Sequence, residues 1–279
     1  MSGDTAARAQ RFTDLHVGGA PLVLPNAWDR GSARILAGLG FQAIATTSAG
    51  FAFSQGQRDA VGVTSRSAAL AHARDLIDAV DLPVSADLED GFGTTPEDVA
   101  ATVHEAVGIG LAGCTIEDTT GDSDQPIYPF DEALRRVEAG VHAARAGRRP
   151  FVFTARAENY LHGRPDLDDT IRRLQAFEAA GADCLYAPGL PDLEAIRKVC
   201  ASVSAPVNVV IGIRPRSITV TELADAGVAR ISLGSSLARR AYGALIDASR
   251  EILDEGSFGD AEAGAPFAEI EGLLRKSQT

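Results

Sequence analysis

Along the chain, short apolar runs alternate with longer stretches in which apolar residues recur at helical spacing. The runs near 22–26, 43–47, 82–87, 113–117, 151–156, 183–187, 206–211 and 229–233 read as strands, eight in all. Several helical stretches end on glycine just before a run: Gly38 and Gly40, Gly108 and Gly110, Gly181, and Gly227. Glycine supplies the left-handed residue that closes a helix, and a short link then returns the chain to the sheet. Helix starts are also marked. Thr95-Pro96-Glu97-Asp98 offers a cap, a proline at the first helical position and acid in the first turn, and Thr219-Val220-Thr221-Glu222 has capping-box spacing.

Eight strands with helices between them, in a chain of 279 residues, predict an α/β fold of the (β/α)₈ TIM-barrel type rather than an open doubly wound sheet. No glycine-rich dinucleotide fingerprint follows the first strand, and no phosphate loop with Gly-Lys-Ser/Thr is present, so a nucleotide cofactor is not expected. Residues 1–279 read as a single domain, with a barrel core over about 20–245 and a helical appendage over about 246–279. The appendage carries Gly256, Gly259 and Gly264 ahead of a short helix from Pro266 to Lys276.

Composition narrows the partners. A formal charge of −12 disfavours nucleic acid and anionic membranes, and no window reaches the ~18 apolar residues of a spanning helix. The N-terminus carries charge where a signal peptide would be apolar, which predicts a soluble cytoplasmic protein. Cys114, Cys184 and Cys200 are too scattered for a disulfide framework or a zinc knuckle; Cys114 and Cys184 read as small buried hydrophobes. His16, His72, His104, His142 and His162 mostly fall away from strand ends and read as surface residues rather than ligands.

The chemistry concentrates at strand ends. In Ala86-Asp87-Leu88-Glu89-Asp90-Gly91-Phe92-Gly93 three carboxylates crowd behind an apolar run, and Glu117 and Asp118 follow the next strand. Crowded carboxylates call for a cation among them, and hard oxygen donors suit Mg²⁺ or Mn²⁺. Mg²⁺ takes only one or two protein carboxylates, so not all of Asp87, Glu89, Asp90 and Glu117 need touch it; Asp90 could instead cap a following helix. Arg156 ends an otherwise apolar strand, where it either grips an anion or pairs with Glu117 or Glu158; the two roles are compatible.

In order, Thr46-Thr47-Ser48, Asp59, the motif at 86–93, Ile116-Glu117-Asp118, Ala155-Arg156-Ala157-Glu158 and Pro206-Val207-Asn208-Val209 resemble the isocitrate lyase/phosphoenolpyruvate mutase superfamily over about 20–245. That resemblance implies a (β/α)₈ barrel and a homo-oligomer, usually a tetramer with the last helix exchanged between neighbours, or a dimer. It also implies Mg²⁺ holding a small 2-oxo acid or its enolate. By motif position Asp87 is the principal metal carboxylate, with Glu89 and Glu117 acting directly or through water. Asp59 matches an acid on a mobile segment, and Arg156 the arginine on the reacting oxygens. Thr47, Ser48 and Ala49 match the substrate-carboxylate site, and Asn208 a distal substrate contact.

The implied activity is Mg²⁺-dependent cleavage of a C–C or P–C bond in a small 2-oxo or 2-hydroxy acid through a metal-bound, pyruvate-like enolate. The alternatives are oxaloacetate decarboxylation or hydrolysis, and a non-catalytic dicarboxylate-binding barrel. Family lyases carry a Lys-Lys/Arg-Cys-Gly-His gate loop after Ile-Glu-Asp, whereas residues 118–128 contain no cysteine, lysine or histidine. The lysine and asparagine of the mutase loop are absent too, Glu89 replaces an aspartate, and Tyr186-Ala187-Pro188-Gly189 stands where many lyases place a glutamate. These departures speak against ordinary isocitrate or methylisocitrate cleavage. Tyr160, His162 and Arg164, in the loop at 158–166, are candidates for a replacement acid or a second carboxylate contact.

Overall fold

The computed structural model describes residues 3–17, 19–60, 62–213 and 218–275. Its strands are β1 (Leu22–Leu24), β2 (Asn26–Ala27), β3 (Ile44–Thr46), β4 (Val84–Asp87), β5 (Gly113–Glu117), β6 (Val152–Arg156), β7 (Cys184–Tyr186), β8 (Val207–Val210) and β9 (Arg230–Ser232). Every pairing is parallel, and the order β1-β9-β8-β7-β6-β5-β4-β3-β2 joins both ends of one broken strand. β1 and β2 flank Pro25, which has no N–H to donate to a ladder. β1 pairs with β9 and β2 with β3, so the sheet closes into an eight-stranded α/β barrel whose first strand is in two pieces.

Asn26 holds that seam from both sides. Its Nδ2 donates to the Thr46 carbonyl at 2.6 Å, and its Oδ1 accepts from the Leu233 and Gly234 N–H groups at 3.0 and 2.9 Å. All eight predicted strands are found near their predicted positions. The four helix-to-strand returns close on left-handed glycines, with φ of +94° at Gly40, +100° at Gly110, +99° at Gly181 and +89° at Gly227. Both predicted helix caps form, each as a capping box: Thr95 with Asp98, and Thr219 with Glu222.

The helix Gly3–Asp14 plugs the N-terminal end of the barrel. Phe12 is fully buried against Gly113, the first residue of β5, where an added Cβ would fall 2.9 Å from the ring. With Leu22, Leu24, Ala45, Val152 and Cys184 it forms an apolar cluster, and the main core lies between the sheet and its helices. Cys114 and Cys184 are buried, as their apolar runs predict.

Two histidines correct the surface reading. His16 and His72 are buried. His72 lies on the Phe51 ring at 4.1 Å between centroids, with Nε2 3.0 Å from the Trp28 carbonyl. His16 places Nδ1 2.8 Å from the Phe12 carbonyl and Nε2 3.2 Å from Arg230. Aromatic packing offsets the cost of burial here, and neither ring has an acidic partner within hydrogen-bond reach among the described residues.

After β9 the helix Ser236–Glu255 runs for 20 residues with only Ala238 buried. Leu245 is 63% and Leu253 83% exposed. The helix Phe267–Leu274 returns to the helix Arg30–Gly38, where an added Cβ on Gly38 would fall 2.8 Å from the Leu273 carbonyl. It ends short of the predicted boundary at Lys276, which lies outside the described residues. Exchange of a C-terminal helix between subunits is not part of what this single chain displays. No helix among the described residues is long and apolar enough to cross a membrane.

Burial, and then the neighbouring Arg230 charge, lower the His16 pKa from 6.5 to about 4. Between pH 6.5 and 4 the unfolded chain therefore binds a proton that the folded chain refuses, so acidification through this window removes stability. Glutamine can accept from Arg230 without titrating. His16→Gln is expected to lose about 3 kcal/mol less stability than the wild type between pH 7 and 4, measured by urea denaturation.

Candidate active site

Three consecutive parallel strands end on charge: Asp87 on β4, Glu117 on β5 and Arg156 on β6. The register sets Glu117 directly beside Arg156, and Arg156 beside Tyr186, which ends β7. Arg156 Nη1 lies 3.1 Å from Glu117 Oε2, its Nε donates to Glu158 Oε1, and its guanidinium sits 4.9 Å from the Tyr186 ring centroid. The sequence left Arg156 with an anion or a structural pair, and the fold gives it two carboxylates.

Acid outweighs base at this mouth. Asp87 accepts from the Ser48 N–H at 3.2 Å and the Ser48 hydroxyl at 2.8 Å, and its own N–H donates to Thr46 Oγ1 at 2.9 Å. Burial, then Asp87, Asp90 and Asp59, push the Glu89 carboxyl up to about 8. Glu117 is raised well above its ordinary range by burial, with Arg156 opposing and Glu158, Asp87 and Glu89 adding to the rise. Asp59 is raised too, by partial burial and by Asp87. Among the described residues, Asp59, Asp87, Glu89, Glu117 and Glu158 thus have Arg156 as their shared cation.

The Glu89 backbone is in the left-handed region at φ +48°, and Phe92 at +59°, conformations that cost of order 1–3 kcal/mol each for a residue with a side chain. The surrounding loop holds them there. Asp90 Oδ1 accepts from the Phe92 N–H at 2.9 Å, and Arg136 donates to the Asp90 and Gly93 carbonyls. Asp90 therefore organises its own loop, while Thr95 caps the helix that follows.

The donors at the mouth are all oxygens, which fits a hard divalent cation and explains a cluster with too few positive charges. Among the described residues no three His, Cys, Asp or Glu side chains converge into a metal cage. Mg²⁺ needs only one or two carboxylates, with water and ligand completing its octahedron, so Asp87 with one neighbour suffices.

Thr47 caps the helix Ser48–Ser54 by accepting from the Gly50 N–H, and Ser48 is turned onto Asp87, with Ala49 next in the same turn. Asn208 lies below the mouth: its Nδ2 donates to Ser232 Oγ at 3.0 Å, and its Oδ1 accepts from Arg230 Nε at 2.8 Å. Of the candidates in the second loop, His162 has Nε2 3.2 Å from Thr119 Oγ1 and 3.7 Å from Glu158 Oε2. The loop at 118–128 is tied to itself: Thr119 bridges Ile127, the Thr120 N–H donates to the Pro126 carbonyl, and the Tyr128 N–H returns to the Asp118 carbonyl.

Sequence reading missed two groups. Asp118 accepts from the Glu158 N–H at 2.8 Å and from Arg173 Nη1 at 2.9 Å, and Arg173 also reaches the Tyr128 carbonyl at 3.0 Å and Asp169 at 2.8 Å. This buried pair fixes Glu158 and both ends of the 118–128 loop. The other group is Arg230, 2% exposed inside the barrel. A charge opening an otherwise apolar strand was the available signal, the same one that drew attention to Arg156. A pocket of about 50 Å³ is lined by Asp87, Arg156, Tyr186, Asn208, Arg230 and Ser232 among others.

A profile for the phosphoenolpyruvate phosphomutase family matches residues 12–253. A structure from Burkholderia cenocepacia J2315 described as a lyase/mutase is 50% identical, with a TM-score of 0.94 over 97% of this chain and 96% of that one. Oxaloacetate acetylhydrolase in complex with its product oxalate is 26% identical, with a TM-score of 0.84 over 96% of this chain and 94% of that one. Phosphonopyruvate hydrolase in complex with oxalate and Mg²⁺ is 25% identical, with a TM-score of 0.83 over 95% and 94%.

Removing Asp118 leaves buried Arg173 with only the partly exposed Asp169 as a carboxylate partner among the described residues, and leaves the buried Glu158 N–H without its acceptor. Asp118→Ala is expected to lower unfolding stability by about 3–5 kcal/mol in urea denaturation, well beyond the loss typical of a surface carboxylate.

Proposed function

The chain belongs to the phosphoenolpyruvate mutase/isocitrate lyase superfamily, and from that we propose that it is a Mg²⁺-dependent lyase cleaving a C–C or P–C bond of a small 2-oxo or 2-hydroxy carboxylic acid. The observation that carries this reading is the set of half-buried carboxylates sharing one arginine at the C-terminal ends of β4, β5 and β6. Asp87, with Glu89 and Glu117 directly or through water, would hold the ion. Bound there, Mg²⁺ supplies Lewis acidity to the carboxylate and 2-oxygen of the substrate.

The chain's own groups do the rest. Arg156 donates to the oxygen on which negative charge develops as the bond breaks, and Glu117 and Glu158 hold its guanidinium in place. In this reading Ser48, with the Thr47 and Ala49 backbone, turns from Asp87 to the substrate carboxylate. Asp59 closes over the mouth as an acid, and Asn208 contacts the distal part of the substrate. A homo-oligomer fits the exposed apolar face of the helix Ser236–Glu255, which would pack on a neighbouring barrel by exchange.

The self-tied loop at 118–128 favours a second reading, decarboxylation or hydrolysis of oxaloacetate. These reactions need enolate stabilisation but no thiol acid, and this loop offers no cysteine, lysine or histidine. The similarity to oxaloacetate acetylhydrolase supports it as well.

A turnover screen over oxaloacetate, isocitrate, methylisocitrate, dimethylmalate and phosphonopyruvate decides between them. Turnover of one compound is expected with Mg²⁺, to be lost with a chelator and restored by added metal. Binding without turnover would mark a dicarboxylate-binding barrel. Asp87→Ala and Arg156→Ala should each lower kcat by ~10²–10³ while the circular-dichroism spectrum remains that of the folded barrel. Near-normal turnover by either variant would sink the proposal.

A further inference from the structure

Below the mouth, the barrel buries a cation with no anion beside it. Arg230 opens β9, whereas Asp87 and Arg156 close their strands, so it lies nearer the plugged N-terminal end. Its described partners are all neutral. Nε donates to Asn208 Oδ1 at 2.8 Å, Nη2 to Thr154 Oγ1 at 3.0 Å, and Nη1 meets His16 Nε2 at 3.2 Å. No carboxylate lies within ion-pair distance of it among the described residues. A buried guanidinium is costly without a counter-charge, and three neutral acceptors offset only part of that cost.

The same bonds fix what this floor presents to the pocket. The Phe12 carbonyl takes the His16 Nδ1 proton, leaving Nε2 as the acceptor for Arg230. Arg230 occupies Asn208 Oδ1, so the Asn208 amide is held with its NH₂ group toward Ser232 and one N–H to spare. Of the five guanidinium N–H groups, three are used by these partners, and two have no partner among the described residues. Arg230, Asn208 and Ser232 all line the pocket. Beneath an acidic mouth lies a floor of donors.

We propose that Arg230 and Asn208 form an anion subsite for a second carboxylate of the substrate, so that the pocket selects dicarboxylic over monocarboxylic acids. This deepens the reading in which the mouth holds one end of a small carboxylic acid, and rests on it. Asn208 then contacts the ligand directly through its spare N–H. Arg230 supplies the charge, and His16 acts as a positioning residue that keeps the guanidinium in the pocket floor.

The test uses two probes of equal chain length, succinate and butyrate, titrated calorimetrically into the full-length protein and Arg230→Met, with Mg²⁺ and then with a chelator. The wild type should bind succinate at least tenfold tighter than butyrate, and Arg230→Met should reduce that ratio below threefold. A wild-type ratio near one overturns the subsite without relying on any variant, so misfolding of Arg230→Met cannot shield it. A folded Arg230→Met that keeps the wild-type ratio overturns it equally. Chelation separates this inference from the metal reading. If the mouth holds Mg²⁺, chelator weakens both probes by a similar factor and leaves the ratio standing. If chelator changes neither affinity while the ratio still depends on Arg230, the metal reading fails and the subsite stands.

Discussion

Excess negative charge at the mouth of the barrel is the constraint around which the rest is arranged. Parallel register brings Asp87, Glu117 and Arg156 to adjacent strand ends, and the loops that follow add Glu89 and Glu158. Like charges at such range cannot all ionise in a half-dry site unless a cation joins them, and among the described residues the guanidinium of Arg156 is the one that meets them. The raised pKa values of Glu89 and Glu117 express that shortage. An oxygen-only donor set of this kind is suited to a hard divalent ion, the cofactor of the proposed reading.

Holding such a cluster together requires rigidity elsewhere. The buried Asp118–Arg173 pair clamps the Glu158 backbone and both ends of the 118–128 loop, and Arg136 clamps the loop that keeps Glu89 left-handed. These arginines lie on the helices Phe130–Arg145 and Leu167–Ala179 and are not among the residues lining the pocket, yet they hold the loops that carry its carboxylates. Lower down, His16 does the same for Arg230 from the helix that plugs the barrel. The electrostatic profile therefore runs from a carboxylate-rich mouth to a cationic floor within one pocket.

Much of this was legible in the chain. Short apolar runs ending in charge located the strands and the mouth, because strand ends at the catalytic face are where an apolar interior gives way to solvent and ligand. Glycine after each helix marked the returns, because only a left-handed residue closes them cheaply. The histidines were misjudged because a helical position tells nothing about which face meets the core; His16 and His72 are buried by neighbours 214 and 44 residues away in sequence.

By itself, then, the sequence determined the (β/α)₈ architecture and the strand ends that carry charge. Those properties depend on local periodicity, caps and residue identity. Tertiary structure decided which acids share Arg156, that Asp118 and Asp90 serve the scaffold, that the 118–128 loop is tied to itself, and that Arg230 lies beneath the mouth without a counter-ion among the described residues. Those are statements about distances between strands far apart in sequence, and they exist only once the register closes the barrel.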